Sequence, residues 1–171
     1  FGSMEIPLRH LQHAGIDYYK NSSSIIFNEG CLTHGAVLPF ELACGAHPGV
    51  ISDMQSFFVA LALRADGTSR VYDYRYPERI AFVAELAKLT AGRPLEAKPG
   101  EITVRGAADF VPAAVHATDL RGGMVMLMAA LCAPGQSEIT NFQMPLRGYN
   151  RLLEKLRGLG IEVQVLDEDG T

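Results

Sequence analysis

Three arginines and two aspartates occupy related positions of the chain, and together they could bind a small anion. When the chain is aligned with itself, Asp53 matches Asp119 and Arg79 matches Arg147, while Arg121 follows closely after Asp119. A guanidinium group binds carboxylate or phosphate through two parallel hydrogen bonds and keeps its charge at physiological pH. Three arginines beside two acids therefore predict a receptor for a small, densely charged anion.

The local sequence predicts that these residues lie at the beginnings of helices. Each aspartate opens an apolar helix, and Arg79 and Arg147 are expected at the start of the second helix of their segments. Helix N-termini offer free amides and a positive dipole end, which favour anions. Alternatively, the aspartates are simple N-caps and the arginines are solvated helix-start residues. Spacing alone leaves both interpretations open, although a cation such as Arg121 opposes the dipole in a first turn.

The elements that must position these residues recur along the chain. The stretch 52–63 aligns with 118–129, and 65–92 aligns with 133–160. The start of the chain, at 8–17, resembles the end of the second copy and indicates a fragment of a third. An internal period of this size marks a supersecondary unit that is used several times.

Hydrophobic periodicity and turn residues predict the order strand, helix, strand, helix, strand, strand for the complete unit. The predicted elements are, in that order, 38–43, 53–64, 68–73, a helix that Pro77 opens and Gly92 ends, 94–97 and 101–105. A separate helix is expected at 5–14, and the second copy loses its last strand. This alternation predicts an α/β fold of repeated βαβαββ units, with apolar helices packed inside mixed sheets. Met124, Met126 and Met128 are expected to fill the core.

Domain limits follow from the same units. Residues 1–4, Phe-Gly-Ser-Met, are typical of a remnant of an expression tag. Residues 5–171 are expected to form one domain, with a partial unit at 5–34, a full unit at 35–106 and a second unit at 107–171. Because the partial unit lacks its opening strands, the chain is expected to be part of a longer protein.

Composition excludes several classes of protein. The chain has 171 residues, 48% of them apolar and 20% charged, which is typical of a globular domain with a substantial core. The net charge is −4, whereas a nucleic-acid-binding surface needs a clustered excess of basic residues, so a nucleic-acid-binding protein is not expected. No apolar run approaches the roughly 20 residues that span a bilayer, and no signal peptide is recognisable, so a cytoplasmic protein without membrane partners is expected. Cys31, Cys44 and Cys132 lack ligand spacing and are expected to be reduced, mostly buried thiols.

Four ordered motifs resemble the C-terminal part of the enolpyruvyl transferases. They are "AHPGVISDMQ", "PERIAFVAEL", "ATDLRGGM" and "LRGYNRLLEKLRGLG", and the similarity is greatest to members that act on UDP-N-acetylglucosamine in peptidoglycan synthesis. The resemblance covers nearly the whole chain after the predicted tag. It implies most of the C-terminal domain of a two-domain enzyme, whose missing N-terminal domain would complete an interdomain cleft.

The resemblance also implies a role for each charged residue. Asp53 would be the general base that takes the proton from the acceptor hydroxyl as it attacks phosphoenolpyruvate, and Asp119 an acid close to the reacting centre. Arg79, Arg121 and Arg147 would hold the carboxylate and phosphate of that substrate. No metal or organic cofactor is implied, and the partners would be phosphoenolpyruvate and a nucleotide sugar. This chain alone, with half of the cleft, would be inactive.

Two other functions stay open at this point. A homologue in specialised metabolism could use another nucleoside or sugar as acceptor. Two departures suggest it: Gly122-Gly123 stands where residues such as Ala-Ser usually follow the shared "DLR" in the family, and Tyr-Pro-Glu precedes Arg79 where the family has phenylalanine, glutamate and asparagine. A module that binds anions without catalysis is the third possibility. Retention of all five charged positions favours an enzyme over that module.

Overall fold

The structure is a computed structural model, and it describes residues 4–92 and 94–166. Residues 1–3 of the predicted tag and residues 167–171 of the second unit lie outside this part. Helices and strands alternate along most of the described chain. Their order is α1 (Glu5–His13), β1 (Tyr19–Lys20), β2 (Ile25–Ile26), β3 (Glu41–Ala43), a 3-10 helix (Ser52–Met54), α2 (Gln55–Ala62), β4 (Thr68–Tyr72), α3 (Ala81–Lys88), β5 (Leu95–Lys98), β6 (Glu101–Arg105), β7 (Ala114–His116), α4 (Leu120–Cys132), β8 (Glu138–Thr140), α5 (Gln143–Leu146) and α6 (Leu152–Gly158).

A mixed four-stranded sheet organises the first half of the fold. Its strand order is β3-β4-β6-β5, with β3 parallel to β4 and the other neighbours antiparallel. Alternate side chains of the central strands, such as Val71, Ile102 and Val104, are fully buried, as expected for a sheet with one face on the core. Helices α2 and α3 pack against this sheet. The predicted α/β class with mixed sheets is confirmed.

Helix α4 joins the two halves of the core. It packs against α2, α3 and α5, and its Val125 and Met126 are fully buried. Met124 is half-buried and Met128 is 42% exposed, so the expectation that all three methionines fill the core is wrong for Met128. The physical reason is helical geometry, because residues two apart do not face the same side. No helix in the described part of the chain is long and apolar enough to cross a membrane.

The predicted helix beginning at Pro77 is placed four residues too early. Residues 77–80 form a turn, and α3 begins at Ala81. The carbonyl of Pro77 accepts a hydrogen bond from the amide of Gly100, in the turn between β5 and β6, at 3.0 Å. Because this carbonyl is directed to the neighbouring hairpin, it does not accept the first hydrogen bond of an α-helix. The helix therefore starts after the turn.

The second copy begins with the same element order as the first but ends differently. β7, α4 and β8 repeat the pattern of a parallel strand pair with a helix between the strands. Residues 161–166, where a further strand is expected, contain none. In the first copy the matching strand β5 pairs with β6, and among the described residues of the second copy no strand takes the place of β6. A strand without a partner leaves its backbone groups unpaired, so none forms there.

The cysteines are less buried than predicted. All three are free thiols; Cys31 and Cys44 are half-buried and Cys132 is exposed. The expectation of mostly buried thiols is therefore wrong. Cys132 is the last residue of α4, where the helix emerges from the core beside the exposed Leu131.

Candidate active site

Asp53 is the centre of the charged cluster. It lies in the 3-10 helix before α2, where its side chain does not cap the helix, and its side chain is 50% exposed. One carboxylate oxygen accepts a hydrogen bond from Nη1 of Arg79 at 3.1 Å, and the other accepts one from Nη2 of Arg121 at 3.4 Å. Asp53 therefore bridges two arginines from different copies of the repeat. The interpretation of Asp53 as a simple N-cap does not fit this geometry.

Arg79 lies in the turn before α3. The prediction that it lies at the start of the helix is therefore wrong. Its guanidinium carbon stands 4.6 Å from the ring centroid of Tyr76, close enough for a cation–π contact. The turn is held by Asp73, which is fully buried and whose Oδ1 accepts hydrogen bonds from the amides of Arg75 and Tyr76, each at 3.1 Å. Asp73 and Tyr76 thus position Arg79 beside Asp53.

Asp119 is the N-cap of α4, as the sequence predicts for an acid before an apolar helix. Its Oδ1 accepts hydrogen bonds from the amides of Arg121 and Gly122, both at 2.9 Å. The hydroxyl of Thr118 donates to its Oδ2 at 3.2 Å. These bonds satisfy two of the free amides at the helix start and fix the backbone of Arg121.

Arg121 projects from the first turn of α4 towards Asp53. Its Nη1 donates to the hydroxyl of Tyr149 at 3.1 Å, and the guanidinium carbon lies 5.7 Å from the Tyr149 ring centroid. The Tyr149 hydrogen bond raises the pKa of Arg121 above its ordinary value, partial burial opposes this, and Asp53 raises it further. These partners hold a cation at the helix end where the dipole disfavours one.

Arg147 follows the last residue of the short helix α5, so its predicted place at a helix start is wrong. The next helix, α6, begins only at Leu152, because residues 147–151 form a turn. This turn packs on the start of α4, since a Cβ at Gly148 would lie 2.7 Å from the side chain of Leu120. Arg147 is exposed, and its side chain makes no hydrogen bond or ion pair within residues 4–92 and 94–166. Its neighbour Tyr149 links the turn to Arg121.

The cluster has an excess of positive charge. Two guanidinium groups, those of Arg79 and Arg121, face one bridging carboxylate, because the carboxylate of Asp119 is directed to the amides of its own helix. The side chains of Arg79 and Arg121 are each 35% exposed, which leaves them accessible to a ligand. Surface ion pairs of this kind contribute only about 0 to 1 kcal/mol, so an anion can compete for these arginines. The arrangement can bind a small dianion.

Two glycines allow the start of α4 to approach its neighbours. A Cβ at Gly122 would lie 2.6 Å from Cβ of Phe82, and one at Gly123 would lie 2.4 Å from Cγ of Pro145. Side chains at these positions would push α4 away from α3 and α5, which carry or flank the arginine turns. The glycine pair is therefore explained by packing that brings the charged residues together.

We expect Gly123→Ala to destabilise the domain by about 1 to 3 kcal/mol, because overpacking outweighs the better helix propensity of alanine. Thermal unfolding should show a melting temperature lower by several degrees. Gly158→Ala is the matched control, since that glycine also lies in a helix and has no heavy atom within 4 Å of an added Cβ. A Gly123→Ala protein that melts at or above the temperature of the wild type would contradict the packing explanation.

The positioning residues Asp73, Tyr76 and Tyr149 were not among those predicted from the sequence. For Tyr76 a signal exists, because tyrosines alternate at 72, 74 and 76 just before Arg79. For Asp73 the signal is an aspartate placed to hydrogen-bond the backbone two residues on, as in an Asx turn. Nothing local marks Tyr149, whose partner Arg121 is distant in sequence.

Cys44 lies close to the cluster but is not a nucleophile. Burial raises the pKa of its thiol to about 12; the nearby Asp73 adds to this effect and Arg79 opposes it. The thiol is therefore protonated at neutral pH and unreactive. Within the described ranges no group of three or more His, Cys, Asp or Glu side chains could hold a metal ion.

Comparison with known proteins assigns the chain to a family. The model of the family described as EPSP synthase (3-phosphoshikimate 1-carboxyvinyltransferase) matches residues 4–156. The chain is 39% identical over 158 residues to UDP-N-acetylglucosamine 1-carboxyvinyltransferase of Streptococcus pneumoniae serotype 2, covering 92% of this chain and 36% of the relative. A relative of the same name with the suffix 2, from Streptococcus thermophilus, is 34% identical over 134 residues, which is 78% of this chain and 31% of the relative.

A solved structure supports the same assignment. The crystal structure of the enolpyruvyl transferase NikO from Streptomyces tendae superposes with a TM-score of 0.84 and 26% sequence identity, over 94% of this chain and 36% of that one. The chain thus spans about a third of the length of the proteins it matches. From the family match over most of its length and from these relatives, the chain belongs to the EPSP synthase family of enolpyruvyl transferases.

Proposed function

We propose that the protein containing this chain transfers the enolpyruvyl group of phosphoenolpyruvate to a hydroxyl of UDP-N-acetylglucosamine, as in the synthesis of peptidoglycan precursors. The single observation that carries the proposal is the bridge of Asp53 between Arg79 and Arg121. It puts a candidate base and two anion-binding groups in direct contact. The relatives named UDP-N-acetylglucosamine 1-carboxyvinyltransferase favour this acceptor.

In this proposal the arginines bind the substrate's negative charges. Arg79 and Arg121 both contact Asp53, so they can hold one anionic group between them, and Arg147, which is exposed, is proposed to bind a second. Phosphoenolpyruvate carries a carboxylate and a phosphate, which matches guanidinium groups in chemistry and number. Positively charged donors fixed before the reaction also stabilise charge that develops on the departing phosphate.

Asp53 is proposed to accept the proton of the attacking hydroxyl. The acceptor oxygen bonds to the central carbon of phosphoenolpyruvate, and its proton passes to the carboxylate. The carbon–carbon double bond opens as its terminal carbon takes a proton from a general acid outside this chain, which gives a tetrahedral adduct. The terminal carbon then loses a proton, the double bond re-forms as the carbon–oxygen bond to phosphate breaks, and the enolpyruvyl ether and inorganic phosphate leave. Asp119 is close to the reacting centre through Arg121, whose backbone it holds.

The rest of the cleft is proposed to come from the part of the protein outside this chain. The matched segment covers 36% of the S. pneumoniae relative, so most of a comparable enzyme lies elsewhere in sequence. We infer that an N-terminal domain closes on this one and contributes further acceptor contacts. On this view the isolated chain binds phosphoenolpyruvate weakly and has no transferase activity.

The glycine pair does not favour a different acceptor. Gly122 and Gly123 are accounted for by their contacts with Phe82 and Pro145, inside the domain. Packing of this kind is independent of the acceptor. UDP-N-acetylglucosamine is therefore the acceptor to test first.

The test is release of phosphate from phosphoenolpyruvate by the full-length protein. We expect release to depend on UDP-N-acetylglucosamine and to be absent with the 171-residue chain alone. Mass spectrometry should find the acceptor heavier by one enolpyruvyl group. Turnover with another nucleotide or sugar, but none with UDP-N-acetylglucosamine, would refute the proposed acceptor and keep the reaction. The absence of both turnover and phosphoenolpyruvate binding would refute the function.

A further inference from the structure

The space between the guanidinium groups of Arg79 and Arg121, here called the anion seat, is filled by the carboxylate of Asp53. We infer that Asp53 competes with the substrate anion for this seat and that the anion displaces it on binding. The candidate base would then be paired with arginines in the empty site and released from them only when substrate arrives. The link to catalysis rests on the proposed function, whereas the competition itself concerns only anion binding.

The hydrogen bonds leave little room for an anion to bind beside Asp53. Of the two terminal nitrogens of Arg121, Nη1 donates to Tyr149 and Nη2 to Asp53. These bonds use two of the five guanidinium donors, and the donor that Arg121 directs towards Arg79 is the one that Asp53 accepts. On Arg79, Nη1 also donates to Asp53 while the ring of Tyr76 lies beside the guanidinium group. An anion that bridges the two arginines must take the position of Asp53.

Asp53 is the partner that can leave. Its side chain is 50% exposed, it makes no capping bond, and it stands on a 3-10 helix of a single turn. Tyr149 is half-buried, and its ring packs with the cluster formed by Leu127, Leu152 and Leu156, so its hydroxyl is anchored by the core. Rotation of the Asp53 side chain towards solvent exchanges two ion pairs for hydration, at a small net cost for such exposed groups.

Two consequences follow for a bound anion. It must displace a carboxylate that is already paired with both arginines, and it then lies next to that like charge. Both effects weaken anion binding relative to a site without the Asp53 charge. In return, the carboxylate oxygens lose their guanidinium donors and become available to the proton of an acceptor hydroxyl. Anion binding and release of the base are thereby coupled.

The test is titration of the 171-residue chain with inorganic phosphate and with phosphoenolpyruvate by isothermal calorimetry. We expect Asp53→Asn to bind both anions about 2- to 30-fold more tightly than the wild type, the range that corresponds to two exposed ion pairs. Glu41→Gln is the matched control. It removes one carboxylate from an exposed pair with Arg70 at 2.8 Å on the sheet, so it changes net charge equally and also frees an arginine. The control should bind as the wild type does.

A second variant separates competition from new contacts. Asp53→Ser should also bind more tightly, because it removes the charge without introducing an amide that could itself hold the anion. Tighter binding by Asp53→Asn alone, unchanged or weaker binding by both variants, or an equal gain in Glu41→Gln would each overturn the inference. Thermal melts verify that the variants are folded.

These results also separate the inference from the proposed function. If Arg79→Gln and Arg121→Gln abolish phosphoenolpyruvate binding while the Asp53 variants bind no more tightly, the anion site stands and the competition is refuted. If neither the wild type nor any Asp53 variant binds either anion, both the site and the competition are refuted.

Discussion

Asp53→Ala is expected to lower the turnover of the intact transferase by about 10²- to 10⁴-fold, the usual contribution of a positioned general base. In the proposed mechanism the carboxylate accepts the acceptor's proton only as the new bond forms, whereas Arg79 and Arg121 hold the anion before and after that step. Affinity for phosphoenolpyruvate should be higher, because the competing carboxylate is removed. Steady-state measurement of kcat, with direct titration of phosphoenolpyruvate, separates the two quantities.

Glu41→Ala is the control for this prediction. Glu41 is also an exposed acid paired with an arginine, but it lies on the edge strand β3 and not in the charged cluster. We expect the control to keep wild-type turnover. Equal turnover of Asp53→Ala and wild type would remove Asp53 from the mechanism, and a loss confined to phosphoenolpyruvate affinity would make it a binding residue.

Arg121→Gln is expected to weaken phosphate binding by about 1.5 to 3 kcal/mol, the range for a hydrogen bond to a charged group. That corresponds to a loss of about 10- to 150-fold in affinity. Stability without phosphate should change little. The variant loses its bonds to Tyr149 and Asp53, but it also removes a cation from the wrong end of the α4 dipole.

Thermal melts with and without phosphate test this prediction. Arg121→Gln should melt near the wild type when no anion is present and lose most of the stabilisation that phosphate produces. Arg105→Gln serves as the control, because Arg105 pairs with Glu96 on the sheet at 2.6 Å and should keep the full phosphate effect. A variant of Arg121 that melts lower without phosphate and still shows the full phosphate effect would make Arg121 a structural residue.

The sequence by itself determines the types and order of the main elements. Alternation of apolar residues through β4 and β6 predicts strands, and the apolar period of α2 and α4 predicts helices, because these patterns depend only on which face of an element meets the core. The cap at Asp119 is equally local, since the acid and the amides it accepts lie within one turn. The matching of Asp53 with Asp119 and of Arg79 with Arg147 also comes from sequence alone.

Only the tertiary structure decides where these residues meet. Asp53 and Arg121 are 68 residues apart, and their contact depends on α2, α3 and α4 packing at the distances that Gly122 and Gly123 permit. The delayed start of α3 at Ala81 depends on the amide of Gly100 in a neighbouring hairpin, and the anchoring of Arg121 depends on Tyr149 beyond α5. Periodicity reports burial along one element and carries no information on which distant side chain completes a hydrogen bond. The pairing of Asp53 with the two arginines is therefore a property of the packed fold.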